Sequence, residues 1–224
     1  MLLYKLSSNA QWLGSIIVLI VCVICYRQRP AYIKVLVFYA LTSIIFQTIL
    51  RIIRVFFQNR GLNEAGDIYV LFEGVILPLV FYHAVQNKVY RKGVVAGILI
   101  YILVYCFAFH FYQPYFYSII RGARDLMMIL LSISYFIYLI QTLPEEDLLR
   151  FPMFWINSAI LIFFSGTFIL SYLMDYITTI MRDQFAYFWA FRNFFRFAFC
   201  LVLSYAGWLN LQSVRAAQKS ALLH

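Results

Sequence analysis

Charged residues are scarce in this sequence, and their scarcity defines the class of protein. Lys, Arg, Asp and Glu make up 12% of the 224 residues, whereas 64% are hydrophobic. A soluble domain carries about 25% charged residues, and a disordered chain carries few apolar ones. The composition therefore excludes a water-soluble globular fold and a disordered chain. It leaves an integral membrane protein.

Cysteine and histidine are also rare, with four and three residues respectively. Four cysteines are too few for a disulfide scaffold of this length. Cys22 and Cys25 form a C-x-x-C pair, but a structural metal site needs four suitable ligands in one place. His83 and His110 belong to opposite ends of neighbouring predicted helices. We therefore expect no metal site and no cofactor.

One short motif points weakly towards an enzyme. The segment Glu145–Arg150 matches the EExxxR pattern of intramembrane metalloproteases. Those enzymes need further His ligands downstream, and the only later histidine is His224. We expect no catalytic residue and a protein that is not an enzyme.

Long hydrophobic runs fill nearly the whole chain. A helix needs about 20 mostly apolar residues to cross a bilayer core. Seven such runs, bounded by charges, prolines or short polar loops, predict an all-α fold: a single transmembrane domain over residues 1–224, built as a bundle of seven helices. The predicted spans are 10–26, 32–57, 67–86, 93–111, 118–142, 152–175 and 185–211, followed by a short tail at 212–224 with the spacing of an amphipathic helix.

The basic loops predict the orientation of the bundle. The chain has 18 Lys and Arg residues against nine Asp and Glu, a net charge of +9. Nine cations lie in loops on the face that carries the C-terminus, and only three loop cations lie on the opposite face. Because short cytoplasmic loops are enriched in Lys and Arg, the N-terminus is predicted outside and the C-terminus in the cytoplasm. The nine cations are Arg27, Arg29, Lys34, Lys88, Arg91, Lys92, Arg150, Arg215 and Lys219.

Six further arginines lie inside the predicted spans, in their outer halves. They form three pairs with helical spacing, so the two members of each pair share a helix face. Three acids, Glu73, Asp125 and Asp175, occur at similar depth. An intramembrane charge is costly unless it is paired or faces water, so this layer predicts a polar cavity that opens outward. The arginines are Arg51, Arg54, Arg121, Arg124, Arg192 and Arg196.

Aromatic residues surround this layer and suggest its ligand. The segment 185–197 contains eight aromatic residues, with Asn193 between the two arginines of the third pair. Guanidinium groups stack on aromatic rings and bind carboxylates or phosphates with two hydrogen bonds. These residues would suit an anionic, partly apolar ligand. Two alternatives remain open: structural ion pairing with snorkelling to the headgroups, and an ion or proton path.

A transporter is the main alternative to a receptor. Seven helices with an external N-terminus also describe the small sugar transporters of the SWEET type, built as three helices, a linker helix and three more. An offset of 119 residues superposes Ala40 on Ala159 and Phe72 on Phe191. Few other identities follow. The charges gather in the outer half, which favours a one-sided site over alternating access.

Two segments carry a family resemblance. Phe154–Ser158 through Phe164–Thr167, and Phe191–Phe195, resemble parts of uncharacterised seven-helix proteins of Bacteroidota-type bacteria, often found beside sensor histidine kinases. The resemblance implies a sensory or accessory role in a bacterial cytoplasmic (inner) membrane, and it assigns no functional residue.

The leading hypothesis is a non-enzymatic, receptor-like protein with an outward-facing cavity for an anionic or amphiphilic ligand. It would signal through a membrane partner such as a histidine kinase, among membrane lipids and without nucleic acid. The predicted ligand-binding residues are Arg51, Arg54, Glu73, Arg121, Arg124, Asp125, Arg192, Asn193 and Arg196.

Overall fold

Helices make up all the regular structure in the described part of the computed structural model, which covers residues 2–56, 62–111, 115–142, 148–181 and 185–221. Short 3-10 turns at Tyr26–Gln28 and Leu148–Arg150 precede the second and the seventh helix. The α-helices within these ranges are α1 (Leu2–Val23), α2 (Ala31–Phe56), α3 (Leu62–Ile76), α4 (Pro78–Ala84), α5 (Lys88–Phe111), α6 (Phe116–Thr142), α7 (Pro152–Tyr172), α8 (Met174–Thr179) and α9 (Phe185–Ala221).

Seven helical segments are long and apolar enough to cross a membrane. The predicted all-α class and the predicted number of membrane-length helices are confirmed, and both fit a multi-pass membrane protein. The sidedness of the bundle stays a prediction. The segments are Leu6–Val23, Ala31–Ile53, Ala65–Ala84, Lys88–Phe111, Phe116–Thr142, Pro152–Tyr172 and Ala186–Ala216.

Two of the predicted spans are divided into two helices each. The third changes from α3 to α4 at Pro78, which has no backbone N–H and whose ring crowds the preceding turn. The sixth ends at Tyr172, and after Leu173 the short helix α8 follows. The predicted end of the sixth span, at residue 175, therefore lies within α8.

The segments pack in chain order as a closed ring. α1 contacts α2, α2 contacts α3 and α4, and α4 contacts α5. On the other side α5 packs on α6, α6 on α7, α7 on α9, and α9 on α1. The contact between α1 and α9, the first and the last segment, is the most extensive. α3 also reaches across to α6, which brings its acidic residues to the arginines of that helix.

The last helix continues past its predicted end at residue 211. α9 runs without a break from Phe185 to Ala221, so the described residues of the predicted tail prolong it. A helix of 37 residues is about 55 Å long, more than a bilayer core requires. Its end therefore projects beyond the apolar layer.

Arg29 joins the first and last helices at the end of α1. Sequence analysis places it among the loop cations, but its side chain is only 3% exposed. The guanidinium donates to the carbonyls of Ile24 (3.1 Å) and Val21 (2.9 Å), and across the interface to Gly207 O (2.6 Å) and Asn210 Oδ1 (2.9 Å). Burial lowers the pKa of Arg29 from its ordinary value. The carbonyls at the C-terminus of α1 offset that cost because they carry the negative end of the helix dipole.

Two glycines let α1 and α9 approach closely. A Cβ atom at Gly207 would lie 2.8 Å from Cys22 Sγ, and one at Gly14 would lie 2.9 Å from Cys200 Cβ. Non-bonded side-chain atoms do not pack at such short distances. The two helices can approach this closely only because both positions are glycines, which have no side chain.

Candidate functional site

Glu73 of α3 is the centre of a buried charge cluster. Its Oε2 accepts a hydrogen bond from Arg124 Nη1 of α6 at 2.6 Å, and its Oε1 accepts one from the Tyr39 hydroxyl of α2 at 3.1 Å. Arg196 of α9 forms an ion pair with the same Oε1 through Nη2. One carboxylate thus joins four helices at a point where its residue is 2% exposed.

Asp125 completes the charge balance of this cluster. Arg124 donates to Asp125 Oδ1 from Nε at 2.8 Å and from Nη2 at 2.5 Å. Both residues are fully buried. Arg124 and Arg196 carry two positive charges and Glu73 and Asp125 two negative ones, so the cluster is neutral. Charge-assisted hydrogen bonds of this kind are what make a buried ion pair tolerable.

Aromatic rings enclose both guanidiniums of the cluster. Arg196 lies 5.1 Å from the ring centroid of Phe163 and within 6 Å of those of Tyr39 and Tyr69, and the Tyr69 hydroxyl accepts a hydrogen bond from it. Arg124 lies 5.3 Å from the ring centroid of Phe164. The faces of these rings are negative, so they stabilise a cation that has left water.

A second ion pair lies one turn away on α6. Arg121 Nη2 is 3.5 Å from Asp67 Oδ1 of α3, and its guanidinium lies 5.4 Å from the ring centroid of Tyr117. Sequence analysis did not include Asp67 in the charged layer. Its position in the sequence could have indicated the pairing. Asp67 is the first residue of the third predicted span, and Arg121 lies near the start of the fifth. The two spans run in the same direction, so both residues lie at a similar depth.

Asp175 forms hydrogen bonds to Ser118 of α6 and makes no ion pair with a described arginine. Its Oδ2 accepts a hydrogen bond from the backbone N–H of Ser118, and its own N–H donates to Ser118 Oγ, both at 2.9 Å. This reciprocal pair attaches the short helix α8 to the first turn of α6. It satisfies donors that the start of a helix leaves unpaired.

The remaining predicted residues do not join the cluster. Arg51 turns towards α1, where it lies 5.1 Å from the ring centroid of Trp12 and donates to the Ser8 carbonyl at 3.0 Å. Asn193 also faces α1 and donates to Ser7 Oγ at 3.3 Å. Arg54 belongs to α2, but its side chain lies outside the described residues.

Arg192 differs from the other arginines of the layer. It is half-buried one turn before Arg196, and its guanidinium lies 5.4 Å from the ring centroid of Trp189. Of the five such arginines whose side chains are described, it alone makes neither a hydrogen bond nor an ion pair to another described residue. It lines a small cleft between α7, α8 and α9 together with Leu170, Met174, Ile177, Phe188 and Trp189.

The cleft and the cluster offer different chemistry. The cluster is closed, neutral and internally hydrogen-bonded. The cleft combines one uncompensated positive charge with apolar and aromatic walls. Within the described ranges, no group of three or more His, Cys, Asp or Glu side chains lies close enough to hold a metal ion.

These features define a class: a multi-pass helical protein whose membrane-length helices are joined by a buried arginine–carboxylate cluster. Comparison of the chain with models of known protein families, with curated protein sequences and with solved structures found no match.

Proposed function

We propose that this protein is a non-enzymatic, receptor-like membrane protein that binds an amphiphilic anion in the cleft at Arg192. It passes the binding event to a membrane partner, for which a histidine kinase is the candidate. Of the nine predicted ligand-binding residues, only Arg192 lines this cleft. A ligand-binding role for the other eight stays a prediction.

The uncompensated charge of Arg192 carries this proposal. A guanidinium withdrawn from water gains several kcal/mol from an anionic partner. None of the described acids nearby forms an ion pair with Arg192: Glu73 and Asp125 bind Arg124, and Asp175 binds Ser118. A bound anion would supply the missing charge.

The walls of the cleft favour a ligand with an apolar part. Leu170, Met174, Ile177 and Phe188 contribute only hydrocarbon, sulfur and ring surface. Tyr187 and Phe191, beside Arg192 on α9, are 69% and 46% exposed at the outside of the bundle. The cleft holds about 250 Å³ of empty space, so a ligand with one negative charge on an alkyl or aromatic body would place its charge on Arg192 and its body along the exposed Tyr187 and Phe191 side chains, whereas a small inorganic anion would use only the arginine.

A receptor fits this arrangement better than a transporter. Alternating access requires helices to move apart around a central site. Here Glu73, Arg124 and Arg196 hold α3, α6 and α9 together at the centre of the bundle, whereas the cleft lies at its edge. With the proposed topology, in a bacterial cytoplasmic membrane with the N-terminus outside, the cleft would face the outer leaflet.

Thermal unfolding in lipid nanodiscs tests the site. The probes are dodecanoate, the uncharged dodecanol and the short carboxylate acetate. Dodecanoate at 100 times its dissociation constant is expected to stabilise the protein by about 2.7 kcal/mol. Dodecanol lacks the negative charge and acetate lacks the alkyl chain, so each should stabilise the protein far less.

Variants of two arginines supply the control for this assay. Arg192→Gln should abolish the stabilisation by dodecanoate, and Arg192→Lys should keep part of it. Arg51→Gln is the matched control, because Arg51 lies on Trp12 away from the cleft. Equal stabilisation of wild type and Arg192→Gln would exclude the cleft as the anion site.

Flux measurements separate the receptor from the transporter. Proteoliposomes containing the protein should show no more uptake of organic anions or sugars than empty liposomes. Robust uptake would replace the receptor with a SWEET-like small-solute transporter.

A further inference from the structure

Polar residues recur at a seven-residue spacing where α6 and α7 meet. On α6 they are Ser118, Asp125 and Ser132; on α7 they are Asn157 and Ser171, which lie two such intervals apart with Phe164 between them. Seven residues are nearly two turns, so the members of each series lie on one face of their helix. Each of the five is at most 9% exposed.

The two series face each other along the seam between the helices. Asn157 Nδ2 of α7 donates to the backbone carbonyl of Ser132 on α6 at 3.1 Å. At the other end, Ser118 holds Asp175, just beyond Ser171. These contacts fix both ends of an antiparallel pair, with Asp125 between them.

Four polar side-chain atoms of this seam hydrogen-bond to no other described residue. They are Asp125 Oδ2, Ser132 Oγ, Asn157 Oδ1 and Ser171 Oγ. All four residues are 0% exposed. A buried polar atom without a partner is costly, and proteins satisfy such atoms with internal water.

We propose that the α6–α7 seam binds internal water molecules at three levels: at Ser171, at Asp125, and between Ser132 and Asn157. Successive levels are about 10 Å apart, given a rise of 1.5 Å per residue. At the third level the hydrogen bond from Asn157 Nδ2 to the Ser132 carbonyl places the two residues with unpartnered atoms side by side, so that one water can bond to both.

The hydrated seam explains why polar residues occupy this interface. At the Ser132–Asn157 level, a water donates to the Asn157 amide oxygen and bonds to the Ser132 hydroxyl; at the other two levels, water bonds to Asp125 Oδ2 and to Ser171 Oγ. The Asp125 level places water against the carboxylate that neutralises Arg124. This inference rests on α6 and α7 and is independent of ligand binding at Arg192.

Radiolytic hydroxyl labelling of the folded protein in nanodiscs tests the seam directly. Radicals formed from internal water oxidise side chains next to that water, and a dry core is protected. Phe164 lies midway between Asn157 and Ser171 on the same face of α7, and Phe81 of α4 is the control, because both rings are 0% exposed. Phe164 should be oxidised several-fold faster than Phe81. Equal protection of the two rings would overturn the proposal.

Substitution of one serine provides a second readout. In a hydrated seam, Ser132→Ala removes a hydrogen-bond partner of bound water and should lower Tm. In a dry seam it removes an unsatisfied buried hydroxyl and should leave Tm unchanged or raised. Ser204→Ala shows how much Tm falls when a buried serine loses a hydrogen bond, because Ser204 is also buried and its hydroxyl donates to the Cys200 carbonyl at 2.8 Å. An unchanged or raised Tm in Ser132→Ala would count against the seam waters.

Discussion

Glu73→Gln tests the charge cluster at its centre. The substitution keeps the shape of the side chain and removes the charge that neutralises Arg124 and Arg196. At the effective dielectric constant of about 20 that suits protein interiors, two unit charges 4 Å apart interact by about 4 kcal/mol. Loss of one partner of a buried pair typically costs about 3–5 kcal/mol, because the other charge stays buried. We expect a loss of this size in the free energy of unfolding.

Equilibrium unfolding in mixed micelles with increasing SDS measures this loss. Asp67→Asn is the matched comparison: it also removes one buried carboxylate from α3, and its loss should be smaller than that of Glu73→Gln, because Glu73 forms ion pairs with two arginines and the Asp67–Arg121 pair is longer, at 3.5 Å. A coupling free energy between Glu73→Gln and Arg196→Gln of about 1–3 kcal/mol should appear in the double variant.

A weak effect of Glu73→Gln would refute this reasoning. If the loss is no larger than that of Asp67→Asn, or if the double variant is simply additive, the carboxylate does not hold the two arginines. The four helices would then be joined by apolar packing and by their other polar contacts, such as the Arg121–Asp67 ion pair.

Two further predictions concern packing and topology. Gly207→Ala should destabilise the protein by about 1–3 kcal/mol, because its Cβ would meet Cys22 Sγ at 2.8 Å. Gly93→Ala is the control, because a Cβ there meets nothing within 4 Å, and it should be neutral or stabilising. Unfolding in the same micelles measures both. In a background without native cysteines, Leu6→Cys should react with a membrane-impermeant thiol reagent in intact cells and Lys219→Cys only after lysis; the reverse pattern would invert the predicted orientation.

The fold could be predicted largely from local pattern. Runs of apolar residues long enough to cross a bilayer define each helix without reference to its neighbours. The departures come from tertiary contacts. Arg29 follows a span and precedes a proline, which is the pattern of an exposed loop cation. In the structure it is buried and donates hydrogen bonds to backbone carbonyls of α1 and α9. No local signal distinguishes these two states.

The candidate site could be predicted only in part. Helical spacing identified Arg124, Arg196 and Glu73 as one charged layer, because depth follows from position in a span. Which arginine remains without an acid depends on side-chain direction, so the special position of Arg192 was not predictable. Asp67 was missed because it lies at the first residue of a predicted span, where an acid also suits an exposed helix start.

The contact between α1 and α9 has a consequence for biogenesis. The residues that Arg29 binds in α9, Gly207 and Asn210, lie 178 and 181 positions later in the chain. During synthesis the partner of α1 is therefore made after the five membrane-length segments that lie between the two helices. Until α9 enters the membrane, the face of α1 that carries Gly14 and the side chain of Arg29 have no partner from that helix, and a nascent bundle of six spans stays open. Insertion factors that shield α1 should matter more for this protein than for a bundle whose first two helices close on each other.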